Sequence, residues 1–149
     1  MKIEQYHQQI TKELLALLLA ADPDEEVVFS YVSDAEILVA YEKDLLVGVA
    51  VLTKSDGYFE LKNLAVAAAF QGQGIAKLLI AELKVLAKRM GAHFVEVGTG
   101  NSSLSQLALY QKCGFRMRSV EQNYFAPYPQ PIFENGIRCI DMVRLRADL

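Results

Sequence analysis

Seven consecutive residues, Gln71-Gly72-Gln73-Gly74-Ile75-Ala76-Lys77, carry the densest chemical signal in the chain. They lie between an apolar run, LKNLAVAAAF, and a long amphipathic one, IAKLLIAELKVLAKRM. A helix starts with unpaired backbone N–H groups and a partial positive charge. Glycine at such a start lets an anion come close to the bare amides. The turn therefore reads either as a phosphate cradle or as a plain flexible link between strand and helix. A P-loop is excluded, because nothing supplies G-x-x-x-x-G-K-[ST]. A dinucleotide fingerprint starts correctly at Gly72-x-Gly74 but meets Lys77 where a third small residue belongs. The pattern Q/R-x-x-G-x-G/A is satisfied at Gln71, Gly74 and Ala76.

Other reactive groups are sparse. His7 and His93 are the only histidines and lack metal-ligand spacing, so no metal is expected. Cys113 and Cys139 make no disulfide framework and suit a reducing cytoplasm. No Ser-His-Asp arrangement is apparent.

The elements that would position these groups follow from pattern. A helix is expected over about Ile3 to Ala20, stopped by Pro23. EILVAYE and LLVGVAVL read as strands joined by Lys43-Asp44, and KSDG turns the chain into a third strand, YFELKNLAVA. In that third strand Glu60 and Lys62 share parity with Leu64 and Val66. Either one face is half polar, or a bulge near Asn63 changes the phase; the continuous apolar Leu64-Ala65-Val66 favours the bulge. The next helix carries its stripe on Ile75, Leu78, Leu79, Leu83 and Leu86 and stops at Gly91. HFVEVG is a strand, GTGNSS a loop, and SLSQLALYQKCG a helix ending at Gly114. FRMRSVEQNYF and GIRCIDMVRL form two last strands around an aromatic, proline-rich connection.

With 149 residues, 52% hydrophobic and 22% charged, the chain reads as one globular domain spanning 1–149. Its net charge of -3 weighs against a nucleic-acid partner. The apolar run LLALLLAA is too short to span a bilayer, and the polar N-terminus lacks a signal-peptide core.

LKNLAVAAAFQGQGIAKLLIAEL together with LALYQKCGF resembles two motifs, in the right order, of the GNAT superfamily of acetyl-CoA-dependent N-acetyltransferases. The resemblance runs from about Glu36 to Phe115, and the tail PIFENGIRCIDMVRL resembles bacterial members. It implies an α/β (α+β) fold with a mixed, mostly antiparallel central sheet, splayed central strands and flanking helices. Acetyl-CoA is the implied cosubstrate. Its pantetheine arm would pair with the backbone at Leu64, Ala65 and Val66, and its pyrophosphate would sit on Gln71, Gly72, Gln73, Gly74, Ile75, Ala76 and Lys77. Such enzymes use direct attack by the amine, with a tyrosine beside the sulfur as general acid, here Tyr110. The asparagine often found two turns before that tyrosine is displaced: Ser103 stands there and Asn101 lies earlier, so either is a candidate coenzyme contact. The implied base is Glu60, in a position where some members carry a glutamate, or Glu96.

The expected reaction is therefore acetyl transfer to a primary amine, with a non-catalytic acyl-CoA-binding sensor on the same scaffold as the alternative. The acceptor would be a small amine or a peptide amine. Acidic Asp34, Glu36 and Glu134 favour a cation, and NYFAPYPQPIFEN would form a pocket wall or a homodimer contact.

Overall fold

The N-terminal segment departs from the expected single helix. Lys2–Gln5 forms a strand, β1, and helix α1 begins only at Lys12. Thr11 sets that start by accepting the amide of Leu14 with its hydroxyl at 3.2 Å. Residues 2–5 instead pair antiparallel with residues 38–41, so an available sheet edge overrides local helix preference. Pro23 does close α1 (Lys12–Ala21), but a second helix, α2 (Glu25–Val32), follows at once. Its cap is Asp24, whose carboxylate accepts the amides of Glu26 and Val27 at 3.0 and 3.3 Å.

The computed structural model describes residues 1–149 as two compact units, Met1–Ala92 and His93–Leu149. In the first, β2 (Glu36–Glu42), β3 (Leu45–Ser55) and β4 (Tyr58–Val66) continue an antiparallel sheet in the order β1-β2-β3-β4. Leu14, Leu17, Leu18, Val28 and Val32 of α1 and α2 bury one face of it against Ile37, Val39, Val49, Val51 and Ala65. Each such leucine contributes about 2 kcal/mol of transfer energy. Helix α3 (Ile75–Arg89) packs against β2, β3 and β4. It buries Ile75, Leu79, Ile80, Leu83, Leu86 and Ala87, while Leu78 is 47% exposed and leaves the expected stripe to Ile80. Gly48 of β3 makes room for this helix: a Cβ there would meet Leu79 at 3.0 Å and Ile75 at 3.3 Å. At its far end Gly91, at φ 95°, terminates α3 as expected.

The bulge expected in β4 is present. Val51 opposes Asn63 and Leu52 opposes Leu61, which leaves Lys62 as the extra residue. Cross-strand partners share a face. Ala65 and Asn63 therefore lie with Val49 and Val51 on the α1–α2 side, and Glu60, opposite Thr53, lies there too. Leu64 and Val66 oppose Ala50 and Gly48 on the α3 side. One inserted residue thus puts Glu60 and Leu64 on opposite faces despite their shared parity.

The second unit is an antiparallel sheet in the order β5-β9-β6, built from β5 (Phe94–Gly100), β6 (Arg116–Glu121) and β9 (Met142–Asp148). Strand β5 continues through Thr99 and Gly100, which had been expected in a loop, because both pair with β9. Helix α4 (Leu104–Lys112) joins β5 to β6 and ends before Gly114, at φ 90°. The last expected strand is broken. Phe133–Glu134 (β7) and Ile137–Arg138 (β8) make a separate hairpin about Asn135-Gly136, both at positive φ, before β9 starts.

Candidate functional site

In the first unit β4 leads through a short 3-10 turn, Ala68–Phe70, to the glycine-rich stretch and α3. Gly72 and Gly74 both have positive φ, 79° and 83°, a region costly to residues with a Cβ. Residues 71–74 are exposed, whereas Ile75 is buried beside Gly48 and anchors the helix start. Gly74 caps α3 without a side-chain hydrogen bond. The amides of residues 72–77 donate to no carbonyl in the turn, although the Gly74 carbonyl accepts Leu78 N–H at 3.1 Å. A Cβ at Gly72 or Gly74 would meet nothing within 4 Å. Six amides at the positive end of a fifteen-residue helix thus have no backbone partner, and the space around Gly72 and Gly74 is open, which fits a diphosphate. The Gln71 side chain is turned inward, donating to the Val66 carbonyl at 3.0 Å. Lys77 is exposed one turn into the helix.

On the α1–α2 side of β4, Asn63 is buried and donates from Nδ2 to the Leu18 carbonyl and the Tyr31 hydroxyl, both at 3.0 Å. Tyr31 in turn donates to Asp22 at 3.3 Å. Burial, the Asp22 charge and the hydrogen bond to that carboxylate push the Tyr31 hydroxyl up to about 12, against the opposing Asn63 bond. Asn63 Oδ1 is buried with no hydrogen-bond partner. Glu60 lies 3.7 Å from the Lys62 ammonium, which sits 5.9 Å from the centre of the Tyr31 ring. Sequence reasoning named Glu60 and the irregularity at Asn63 but missed their partners Tyr31 and Asp22, which lie on separate elements.

In the second unit Tyr110 is buried on α4 and packs edge-on against Phe115, with ring centres 5.8 Å apart. Burial, and after it the nearby Cys113, push its hydroxyl up to about 12. Glu96 is also buried, and β5–β9 pairing sets Arg146 directly opposite it. Arg146 donates to Glu96 Oε2 from Nε at 2.7 Å and also from Nη2, and Arg118 stands 3.8 Å away. The Asn101 side chain is committed to its own chain: Oδ1 accepts the amides of Ile140 and Asp141 at 2.9 and 3.0 Å, and Nδ2 donates to the Arg138 carbonyl at 3.1 Å. Ser102 and Ser103 donate to one oxygen of Glu134, at 3.3 and 2.8 Å. The polar residues ahead of α4 therefore bind the β7–β8 hairpin. No group of three or more His, Cys, Asp or Glu is placed to hold a metal, and no helix is long and apolar enough to cross a membrane.

A strand feeding an uncapped, glycine-started helix is compatible with a phosphorylated ligand. Comparison with known proteins narrows the class. Residues 33–117 match the model of the acetyltransferase (GNAT) domain. The chain is 44% identical over 144 residues to the uncharacterized N-acetyltransferase YvbK of Bacillus subtilis, covering 95% of this chain and 93% of that one. A Bacillus subtilis acetyltransferase solved in complex with CoA superposes with a TM-score of 0.95 at 44% identity, over 99% of this chain and 98% of that one. A GNAT family acetyltransferase from Elizabethkingia anophelis, solved with acetyl-CoA bound, gives 0.91 at 41% identity over 99% and 98%. The chain belongs to the GNAT family of acetyltransferases and is an enzyme of that kind. The sensor alternative is set aside accordingly.

Proposed function

We propose that this enzyme moves the acetyl group of acetyl-CoA to a primary amine by direct attack, within one functional domain spanning 1–149. The observation that carries the reading is the open row of amides from Gly72 to Lys77. They take the pyrophosphate, and the edge of β4 at Leu64–Val66 takes the pantetheine arm. The amine nitrogen attacks the thioester carbon, a C–N bond forms, the C–S bond breaks, and the thiolate leaves.

Tyr110 serves the leaving group. Its hydroxyl stays protonated up to about 12, so it stands in donor form at neutral pH. A thiol ordinarily titrates near ~8.5, so Tyr110 holds its proton more tightly than the thiolate would. Its contribution is a hydrogen bond to the developing negative sulfur; the attacking nitrogen loses a proton to water as the amide forms, and water returns one to the departing thiolate. Glu60 is the base that removes the ammonium proton, directly or through water. Glu96 is the weaker candidate, because protonating it would break a buried pair with Arg146. Asn101 is proposed as a brace for the β8–β9 connection rather than a coenzyme ligand, since three hydrogen bonds already occupy its side chain.

The test is thiol release from acetyl-CoA across a panel of polyamines, aminoglycosides and short peptides, with pH–rate profiles for Glu60→Gln and Glu96→Gln. Amine-dependent release is expected, with the acid-side fall of kcat/KM lost in Glu60→Gln and kept in Glu96→Gln. Release unaffected by every amine, or an acid limb intact in Glu60→Gln, overturns the corresponding part.

A further inference from the structure

The bulge at Lys62 inserts a cation into the group formed by Glu60, Tyr31, Asn63 and Asp22. Its ammonium lies 3.7 Å from the Glu60 carboxylate and 5.9 Å from the centre of the Tyr31 ring. A carboxylate beside an aromatic face is a common way to hold an alkylammonium ion. The same site is polar underneath: Asn63, 4% exposed, has an unpartnered Oδ1, and its Nδ2 bonds the Tyr31 hydroxyl that reaches Asp22. Around it lies a one-sided charge distribution. Residues 12–42, which supply α1, α2 and β2, contain eight acids and one base, Lys12 at the start of α1. A surface of that sign draws cations toward it.

Lys62 is held only loosely. Its side chain is 39% exposed, and at 3.7 Å it stands beyond hydrogen-bond distance from the largely covered Glu60 carboxylate. An incoming ammonium of similar charge can therefore exchange with it.

We propose that Glu60 and the Tyr31 face form the subsite for the ammonium of a polyamine-type acceptor, and that Lys62 occupies it as a built-in competitor until such an acceptor displaces it. This rests on the reading of Glu60 as the base and adds the acceptor class and the means of recognition. The substrate ammonium would then contact the carboxylate that takes its proton. An amine without a second positive charge would gain less from the acidic surround and would displace Lys62 poorly.

The test is equilibrium binding of spermidine, measured by calorimetry on wild type, Lys62→Met, Lys62→Met/Glu60→Gln and Lys54→Met. Methionine keeps the apolar stem and removes the charge. Lys54 is the control: it lies 5.3 Å from the Phe59 ring on the same sheet and has no carboxylate in an ion pair. Lys62→Met should bind spermidine about five- to tenfold more tightly, the size of a surface ion pair and a cation–π contact combined. The gain should vanish in the double variant, and Lys54→Met should stay within about twofold of wild type. No gain in Lys62→Met, an equal gain in Lys54→Met, or a gain that survives Glu60→Gln overturns the proposal, as does no measurable spermidine binding in any form. Because the readout is binding, it fails or succeeds separately from the base assignment, which the acid limb of Glu60→Gln reports.

Discussion

Two helices in this chain, α3 and α4, each follow a strand by a short link, and the residues just ahead of them differ. Ahead of α3 the chain places glycines at positive φ, no capping side chain and six amides without a backbone partner. Ahead of α4 it places Asn101, Ser102 and Ser103, all hydrogen-bonded within the same unit to the β7–β8 hairpin or its connection to β9. Asn135 adds a bond from its Nδ2 to the Ser102 carbonyl at 2.9 Å. Neither helix has a side-chain cap; what differs is that the side chains ahead of α4 are engaged by their own unit, whereas the glycines ahead of α3 carry none. The start of α3, with glycines in a conformation other residues adopt only at a cost, is the one proposed to take the coenzyme.

The sharpest way to break this contrast is to put a negative charge on the open start. Gln73→Glu adds a carboxylate with no new backbone strain, and Gly74→Glu adds both. Each should weaken acetyl-CoA binding by about 100-fold or more, as expected for charge repulsion at a phosphate site, with far-UV circular dichroism unchanged. Unaltered acetyl-CoA affinity in Gln73→Glu would show that the bare amides are not the coenzyme site.

The next effect down separates chemistry from binding. Tyr110→Phe should lower kcat by about 10- to 100-fold and leave KM for acetyl-CoA nearly unchanged. It should also alter alkaline stability. The folded protein holds this proton to about 12, above the ordinary value near ~10, so the associated stability is full below pH ~10 and is lost as pH rises through about 12. Urea midpoints measured from pH 9 to 12 should fall less steeply in Tyr110→Phe; parallel curves would remove the burial argument.

The closed start is tested by stability. Asn101→Ala removes three hydrogen bonds and should cost about 2 kcal/mol in urea unfolding, while acetyl-CoA affinity stays within about twofold. A large loss of affinity with little loss of stability would return Asn101 to the coenzyme site. Glu134→Gln, which weakens the acceptance of two serine hydroxyls, should cost about 1 kcal/mol and again spare the coenzyme. The smallest effect belongs to the exposed side of α3. Leu78→Ser should change stability by under about 0.5 kcal/mol, in contrast to several for Leu79→Ala, because only the latter empties a buried site.

Much of this was legible beforehand. EILVAYE matches β2 residue for residue, and the amphipathic run after Gly74 matches α3 at its start and within a residue at its end. The bulge in β4 was visible as a clash between parity and apolar continuity, and the register confirms it at Lys62. The failures have physical causes. Residues 2–5 read as helix because four residues carry too little pattern to reveal that a sheet edge awaits them. α2 was hidden by reading Pro23 only as a stop, when the adjacent Asp24 is a cap. Leu78 and Ile80 exchanged places because an apolar helix sequence offers several stripes and only the packed sheet selects one.

By itself the sequence determined the glycine-led helix start, because φ preference and missing side chains are local properties that need no partner. It likewise set the strands with strong alternation and the irregularity in β4. Only the tertiary structure decided that Glu96 is bound to Arg146 from the neighbouring strand, that Asn101 braces a connection some forty residues away, and that Lys62 lies between Glu60 and Tyr31. Those are contacts between residues distant in sequence or brought onto one face by a bulge, and their partners are chosen by strand register and helix packing, which no local pattern encodes.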